Sequence, residues 1–317
     1  MFLLDAHVDS VTRILRLRDE PQWELDGDIG QINLKKLEAF NAPVIFFAIF
    51  LDREEMTGLF SNFLKFYGFL EDQVRKNADK AAMALSYADI QRNMRDGKLS
   101  AVPVIEDGSI LEGKMENLYK AAEMGIRYIT LTWNYANEIG EPSKIDGKGL
   151  TAFGRDAVRE MRNLGILTDV SHLSEPGFWD VYNLTDGPFI ASHSNCKALC
   201  SHHRNLTDGQ LKAIGEKGGC VGLNVNPPFL VNKPENGSDL IAGIDDVCRH
   251  ADHMLKLAGE NNVGLGTDFD GISRVPEGLE DASKLTSLHG MFIKRYGSEL
   301  TRKIFFGNFM RVLEEMA

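Results

Sequence analysis

The sequence predicts a (β/α)8 TIM barrel with extra helices and a C-terminal helical segment. Eight short apolar segments alternate with helix-like stretches along the 317 residues, and a closed parallel barrel requires eight such alternations. Most of these segments are continuous apolar runs, as expected of strands that are covered on both faces. We therefore predict a single barrel domain over residues 1–317. The structural alternative is an open doubly wound sheet, but the glycine fingerprint that would favour it does not follow the first strand.

The predicted elements alternate regularly along the chain. The strands, in order, are FLLDA, PVIFFAIFL, AVPVI, IRYITLTW, GILTDV, PFIAS, CVGLNV and NVGLGTD. The helices between them are LFSNFLKFYGFLEDQVRKNADKAAMAL, LEGKMENLYKAAEMG, TAFGRDAVREMRNLG, SEPGFWDVYNL, TDGQLKAIGEKGG and IDDVCRHADHMLKLAGE. Ser174 and Thr207 are typical helix N-caps, and Gly125 and Gly165 are typical helix ends.

Two insertions interrupt this alternation. One runs from Arg18 to Asn41, and the other is the loop NYANEIGEPSKIDGKG after Trp133. Long loops of a barrel commonly shape the entry to its site, so we expect both at the mouth.

Composition and charge narrow the class of protein. The formal net charge is −11, which argues against nucleic acid or an anionic membrane as a partner, because such surfaces attract clustered Lys and Arg. The first ten residues have no basic leader region, and no segment approaches the about 20 apolar residues of a membrane helix. Four cysteines are too few and too uneven for a disulfide framework. These features predict a soluble, cytoplasmic enzyme.

The first predicted strand ends in a candidate metal-binding pair. His7 and Asp9 are two residues apart, and in an extended segment such side chains point to the same side and can bind one cation together. An H-x-D pair alone also fits a structural role. Burial favours the metal, because an unpaired polar group in a core costs roughly 2–7 kcal/mol.

Three further strands end in residues of the same kind. Glu106 follows AVPVI, and one carboxylate can bridge two metal ions about 3.5–4 Å apart; the alternative is that it caps the next helix. His172 and His193 end consecutive strands and could complete a second metal shell. A barrel gathers its strand ends on one face, so these residues are expected to converge.

The last predicted strand ends in GTDFDG, which contains Asp268 and Asp270. A carboxylate near a metal site can act as a general base and then return the proton to a leaving amine. The alternative is an Asp-Gly turn, which explains Asp270 better than Asp268.

Taken together, these motifs resemble the membrane (renal) dipeptidases and their bacterial relatives, a branch of the amidohydrolase-like barrels. The resemblance extends over nearly the whole chain, through DAHVDS, VIEDG, TLTWN, LTDVSH, IASHSNCKALCSHHRN, GTDFDG and RVPEGLED. It implies a zinc dipeptidase with two Zn²⁺ per chain and a role for each of seven residues. In that assignment His7 and Asp9 hold the first zinc, Glu106 bridges both, His172 and His193 hold the second, Arg204 binds the substrate's terminal carboxylate, and Asp268 is the acid-base residue.

One position departs from the family pattern. Dipeptidases of this family usually have His after TLT, where it contacts the substrate, whereas this chain has Trp133 followed by Asn134. An indole donates one hydrogen bond and does not titrate, so pocket shape or oxyanion stabilisation must differ. We include Trp133, Asn134 and Asn205 with Arg204 among the predicted substrate contacts.

A separate zinc site is a weaker hypothesis. Cys196, Cys200, His202 and His203 are close in sequence, but they lack the paired C-x2-C spacing. The interpretation we favour is that they line the loop that presents Arg204.

The leading hypothesis is a dinuclear zinc hydrolase that cleaves the amide of a small dipeptide with a free C-terminal carboxylate, or of a similar N-acyl amino acid. A hydroxide bridging the metals would attack the carbonyl, and Asp268 would carry the proton to the departing nitrogen. The resemblance favours L-Xaa-D-Xaa substrates. Lactone or cyclic-amide hydrolysis and a binding scaffold without metal are alternatives, and a homodimer is left open.

Overall fold

The computed structural model describes residues 1–13, 23–145, 147–234 and 239–316. In these ranges the strands are β1 Leu4–Val8, β2 Val44–Phe50, β3 Ala81–Met83, β4 Leu99–Glu106, β5 Tyr128–Thr130, β6 Leu167–Asp169, β7 Ile190–Ala191, β8 Cys220–Leu223 and β9 Val263–Leu265. All pairs are parallel, and β2 pairs with β4 to close the sheet. The barrel order is therefore β1, β2, β4, β5, β6, β7, β8, β9, which confirms the predicted (β/α)8 barrel.

The helices surround this barrel. They are α1 Leu34–Leu37, α2 Leu59–Lys76, α3 Tyr87–Arg95, α4 Met115–Glu123, α5 Ala152–Asn163, α6 Glu175–Leu184, α7 Asp208–Glu216, α8 Pro227–Leu230, α9 Ile244–Ala258, α10 Leu285–Arg302 and α11 Asn308–Glu315. Short 3-10 turns occupy Gly108–Leu111 and Ala282–Lys284, and a π-helical turn, Lys303–Gly307, joins α10 to α11. The predicted caps are present: Ser174 Oγ accepts from the Gly177 amide, and Thr207 forms a capping box with Gln210.

One predicted helix is wrong at its C-terminal end. The stretch read as helical through AAMAL ends at Lys76, and Ala81–Met83 forms β3. The amides of Lys80 and Ala81 both donate to the Asn77 carbonyl, which turns the chain. Ala and Met favour helices, but pairing with the start of β4, Ala81 opposite Leu99, determines the local structure.

Described parts of both insertions contact the mouth of the barrel, as expected, the first through Asp270 and the second through Asp107. In the first, residues 18–22 lie outside the described part of the chain. Beyond them Trp23 is 1% exposed and its indole donates to the Ile32 carbonyl at 2.7 Å. In the second, residue 146 is not described, and Asn137 ties the loop together by donating to the carboxylate of Asp107 at 2.6 Å.

The opposite end of the barrel is closed by apolar side chains. Phe306, Phe309 and Leu313 of the C-terminal segment pack against Leu4 and Val102, which come from the strands. Because this end is filled, the polar residues at the C-terminal strand ends are at the open end. No helix in the described part of the chain has the length and apolar character needed to cross a bilayer.

Candidate metal centre

The strand ends bring metal-binding side chains into contact at the mouth of the barrel. His7 in β1, Glu106 at the end of β4 and His193 after β7 offer ligand atoms that all lie within 4.8 Å of one another. His7, Asp9 and Asp268 form a second such group. All of these side chains are buried, and Asp268 is the most exposed of them, at 9%. Residues up to 261 positions apart therefore meet in one site.

Glu106 lies between the imidazoles. Its Oε2 atom is 3.7 Å from His7 Nε2, whereas its Oε1 atom is 3.3 Å from His172 Nε2 and 3.8 Å from His193 Nε2. The two histidine Nε2 atoms on that side are 3.1 Å apart. One oxygen thus faces each side of the cluster, which is the arrangement that a carboxylate bridging two cations needs.

The donor set fits divalent cations. Imidazole nitrogens and carboxylate oxygens are the ligands of zinc and similar metals in hydrolases. The buried Nε2 atom of His7 has no hydrogen-bond partner among the described residues, and a buried polar atom in that condition is costly unless something binds it. A metal ion beside His7 would remove that cost.

The Tyr128 hydroxyl in β5 fixes the orientation of His7. It lies 2.7 Å from His7 Nδ1 and 2.9 Å from the Ala6 carbonyl. Because the hydroxyl proton goes to that carbonyl, the imidazole donates from Nδ1 and presents Nε2 to the site. Such outer partners set the tautomer of metal-binding histidines.

A serine and an aspartate perform the same role for His193. Its Nδ1 lies 2.8 Å from Ser192 Oγ, which donates to the carboxylate of Asp169 at 2.6 Å. Asp169 also accepts from the Thr130 hydroxyl at 2.6 Å. The chain from carboxylate through hydroxyl to imidazole leaves Nε2 of His193 facing Glu106.

Asn134 fixes the orientation of the third imidazole, that of His172. Its Oδ1 atom is 3.3 Å from His172 Nδ1, so it accepts the ring proton and directs Nε2 inward. Asn134 was predicted to bind substrate; its observed contact is with a predicted metal ligand.

The local electrostatics divide the histidines into two kinds. Burial opposes the charge of His7, but the Tyr128 hydroxyl and the Glu106 carboxylate raise its pKa well above the ordinary value. Burial lowers the pKa of His172 to about 3 and that of His193 well below its usual range. At neutral pH the last two are therefore neutral and able to bind metal, whereas His7 holds a proton that a metal ion must displace.

Asp268 lies at the edge of the cluster. Its Oδ2 atom accepts from Asn224 Nδ2 at 2.9 Å, and its backbone amide donates to the His7 carbonyl. Asp270, its neighbour in GTDFDG, points elsewhere: it accepts from the Ser10 hydroxyl and from the Gln31 amide, and so anchors the first insertion.

A cavity of about 180 Å³ opens over these residues. It is lined by Glu106, Trp133, Asn134, His172, His202, His203, Arg204, Asn226, Phe229, Asp268 and Gly271. Arg204 is 4% exposed, donates from Nη2 to the His193 carbonyl at 3.3 Å and lies over the Phe229 ring. Burial lowers the pKa of Arg204 to about 10, which leaves the guanidinium charged at neutral pH.

The other predicted substrate contacts differ in position. Trp133 packs against Phe50, with ring centroids 4.5 Å apart, and forms one wall of the cavity beside His172. The amide nitrogen of Asn205 donates to the Cys200 and Phe229 carbonyls. It supports the loop that carries Arg204.

The separate cysteine and histidine zinc site does not form among the described residues. The thiols of Cys196 and Cys200 contact the carbonyls of His250 and Pro228. Within the described ranges, neither cysteine belongs to a group of side chains that could hold a metal ion. His250 lies in α9. It is buried, accepts from the Cys196 amide and binds the Leu230 carbonyl, so it holds the Arg204 loop in place.

Comparison with known proteins gives consistent results. The membrane dipeptidase family (peptidase family M19) matches residues 1–317. An uncharacterized dipeptidase of Schizosaccharomyces pombe is 32% identical over 314 residues, which is 92% of this chain and 74% of that protein. The crystal structure of dipeptidase AC, an M19 metallopeptidase, has a TM-score of 0.88 at 30% identity and covers 99% of this chain and 98% of its own. A Rhodobacter sphaeroides metallopeptidase, solved with a phosphinate mimic of the dipeptide L-Ala-D-Ala, has a TM-score of 0.88 at 27% identity, covering 100% and 99%.

Proposed function

Because the chain belongs to the membrane dipeptidase family, peptidase family M19, we propose that it is a zinc dipeptidase with two metal ions per chain. Its substrates are small dipeptides with a free C-terminal carboxylate, including L-Xaa-D-Xaa. His7 and Asp9 would hold one metal ion, His172 and His193 would hold the other, and Glu106, which lies between the imidazoles, would contribute to both. The four cysteines of the chain are buried and free, which supports a reducing, cytoplasmic compartment.

One observation carries this proposal. A single cavity is lined by a carboxylate that lies between the imidazoles, a buried guanidinium and a second carboxylate: Glu106, Arg204 and Asp268. Amide hydrolysis at a substrate's C-terminal residue needs an activated water, a cation for the terminal carboxylate and a proton carrier. The cavity offers a residue for each requirement.

Two zinc ions, when bound, act as Lewis acids that favour ionisation of water and polarise the substrate carbonyl. Asp268 takes the proton of the attacking water and gives it to the departing amine. Its Oδ2 atom accepts from the Asn224 side-chain amide, which fixes the orientation of the carboxylate. The tautomers set by Tyr128, Ser192 and Asn134 keep the three imidazoles fixed through this exchange.

Arg204 selects the substrate. Its guanidinium is planar and forked, which suits a carboxylate, and its buried Nε atom has no hydrogen-bond partner among the described residues. The substrate's terminal carboxylate supplies that partner. Trp133 forms the wall near the carbonyl and limits the shape of the N-terminal residue.

Hydrolysis of a matched set of L,L and L,D dipeptides, with and without a chelator, tests the proposal. We expect turnover with about two zinc per chain by elemental analysis, loss of turnover in chelator and recovery on adding zinc. A metal-loaded protein that cleaves none of the dipeptides contradicts it. Trp133 in place of the family histidine favours a second candidate, lactone or cyclic-amide hydrolysis, so these substrates belong in the same panel.

A further inference from the structure

A second cavity adjoins the metal centre. It measures about 270 Å³ and shares His172, His203 and Arg204 with the cavity over the metal ligands. Its remaining walls come from the 143–145 loop, the start of α6 and the segment around Lys197. A substrate bound by Arg204 can therefore extend into it from the metal centre.

Three cations line this second cavity: Lys144, Lys197 and Arg204. Neither lysine makes an ion pair with a residue in the described ranges. Both lysines are exposed at the rim of the cavity, and Lys144 lies over the Tyr135 ring at 6.0 Å from its centroid. Glu175 is the one carboxylate among the lining residues. In a chain of formal charge −11, a cavity dominated by cations is a local exception.

Two independent features favour an anion in this space. Helix α6, ten residues long, begins at its wall with Ser174 as N-cap, and a helix N-terminus carries partial positive charge. Arg204 is 4% exposed and its Nε atom has no hydrogen-bond partner among the described residues. A main-chain carboxylate occupies one cation and leaves the two lysines for another anionic group.

We infer that this cavity, which we call the lysine chamber, receives an acidic side chain from the C-terminal residue of the substrate. The inference rests on the proposed dipeptidase function and narrows it to dipeptides that end in Asp or Glu. Arg204 binds the main-chain carboxylate, and Lys144 and Lys197 bind the side-chain carboxylate.

The test compares zinc-loaded enzyme on L-Ala-D-Asp, its neutral isostere L-Ala-D-Asn, and L-Ala-D-Ala, with the L,L series in parallel. We expect kcat/KM for the Asp substrate to exceed that for the Asn substrate by about tenfold. In the Lys144→Gln/Lys197→Gln double variant the ratio falls to about one, because only the charged substrate loses a partner. The control Lys256→Gln/Lys294→Gln changes two exposed lysines of α9 and α10 with the same total change of charge, and it keeps the wild-type ratio.

The outcomes separate the two proposals. Turnover of all three dipeptides without a preference for Asp overturns the lysine chamber and leaves the dipeptidase function standing. A preference for Asp that persists in the double variant also overturns it. Absence of turnover on every dipeptide overturns the dipeptidase function and the chamber together. The charge-reversed variant Lys144→Glu/Lys197→Glu gives an additional check, since it should favour L-Ala-D-Lys.

Discussion

At the scale of single residues, backbone conformation aims the functional side chains. Asp107, His172 and Asp268 have positive φ angles of 76°, 69° and 64°. Such conformations cost of order 1–3 kcal/mol each for residues other than glycine and persist where the surroundings enforce them. All three follow barrel strands at the mouth. The chain therefore accepts local strain where each strand gives way to the site.

The substitution Asp268→Asn tests the proton carrier. An asparagine keeps the oxygen that accepts from Asn224 and tolerates a positive φ, so fold and metal content should be retained. It cannot take a proton, so kcat should fall by about 10²–10⁴-fold. Steady-state kinetics with elemental analysis measures both, and Asp156→Asn on the exposed face of α5 is the control. Near-wild-type turnover would remove Asp268 from the mechanism.

The substitution Tyr128→Phe tests the support of His7. It deletes the hydroxyl that fixes the imidazole at 2.7 Å and should lower zinc affinity by about 10–100-fold, with activity partly restored by excess zinc. Competition with a chromophoric chelator measures the affinity. Tyr67→Phe is the matched control, because that hydroxyl donates to the Met124 carbonyl. Equal zinc affinity in the two variants would contradict the role.

The sequence could predict the inner residues of this site but not their supports. Strand-end histidines and carboxylates are visible because ionisable groups interrupt apolar runs. Tyr128 and Ser192 lie inside such runs and read as ordinary core or polar positions. Their role depends on hydrogen bonds between neighbouring strands, and a single sequence carries no record of that pairing.

At the scale of elements, the strands on one side of the barrel approach closely because two glycines allow it. A methyl group at Gly222 in β8, or at Gly266 after β9, would collide with the Ser192 carbonyl oxygen. Ser192 supports His193, so this close approach also positions the metal centre. Neither glycine has a positive φ angle. Glycine is therefore needed at both positions because it has no side chain, and not because of its backbone conformation.

A pair of glycine substitutions tests this packing. Gly266→Ala should lower the free energy of unfolding by about 3 kcal/mol, because its methyl group meets backbone. Gly68→Ala should raise it by about 0.5–1 kcal/mol, since it lies inside α2 with nothing within 4 Å of the added atom. Thermal unfolding of the zinc-loaded protein compares the two. A change of the same sign in both would contradict the argument.

Element prediction succeeded where the hydrophobic pattern was long and failed where tertiary contacts decided the structure. All eight barrel strands were anticipated, although β7 spans only Ile190–Ala191. The strand β3 was missed because Ala81–Met83 has helical propensity and becomes a strand through pairing with β4. Helix α3, capped by Ser86, was also not anticipated, because its apolar face is narrow.

At the scale of the whole molecule, metal binding and protonation are linked. In the metal-free protein, Tyr128 and Glu106 raise the pKa of His7 well above its ordinary value, against the effect of burial. A group whose pKa is raised by folding contributes stability that is complete below its unfolded pKa, about 6.5 for histidine, and is lost as pH rises through the folded value. The metal-free protein should therefore lose stability as pH rises above about 6.5.

Zinc bound as proposed would displace the same proton, so zinc affinity should increase as pH rises above about 6.5. Burial lowers the pKa of His172 to about 3 and that of His193 well below its usual range. Neither group changes its protonation in the folded protein above pH 6.5, so neither adds to this pH dependence. Burial raises the pKa values of Asp5 and Asp107 to about 6, so both groups lose their protons mainly below pH 6.5. We expect the difference in unfolding free energy between zinc-loaded and metal-free protein to widen as pH rises above about 6.5, by up to about 1.4 kcal/mol per pH unit from His7 alone. Calorimetry in excess chelator and in excess zinc measures the difference, and a gap that narrows with rising pH would show that His7 holds no proton in the metal-free centre.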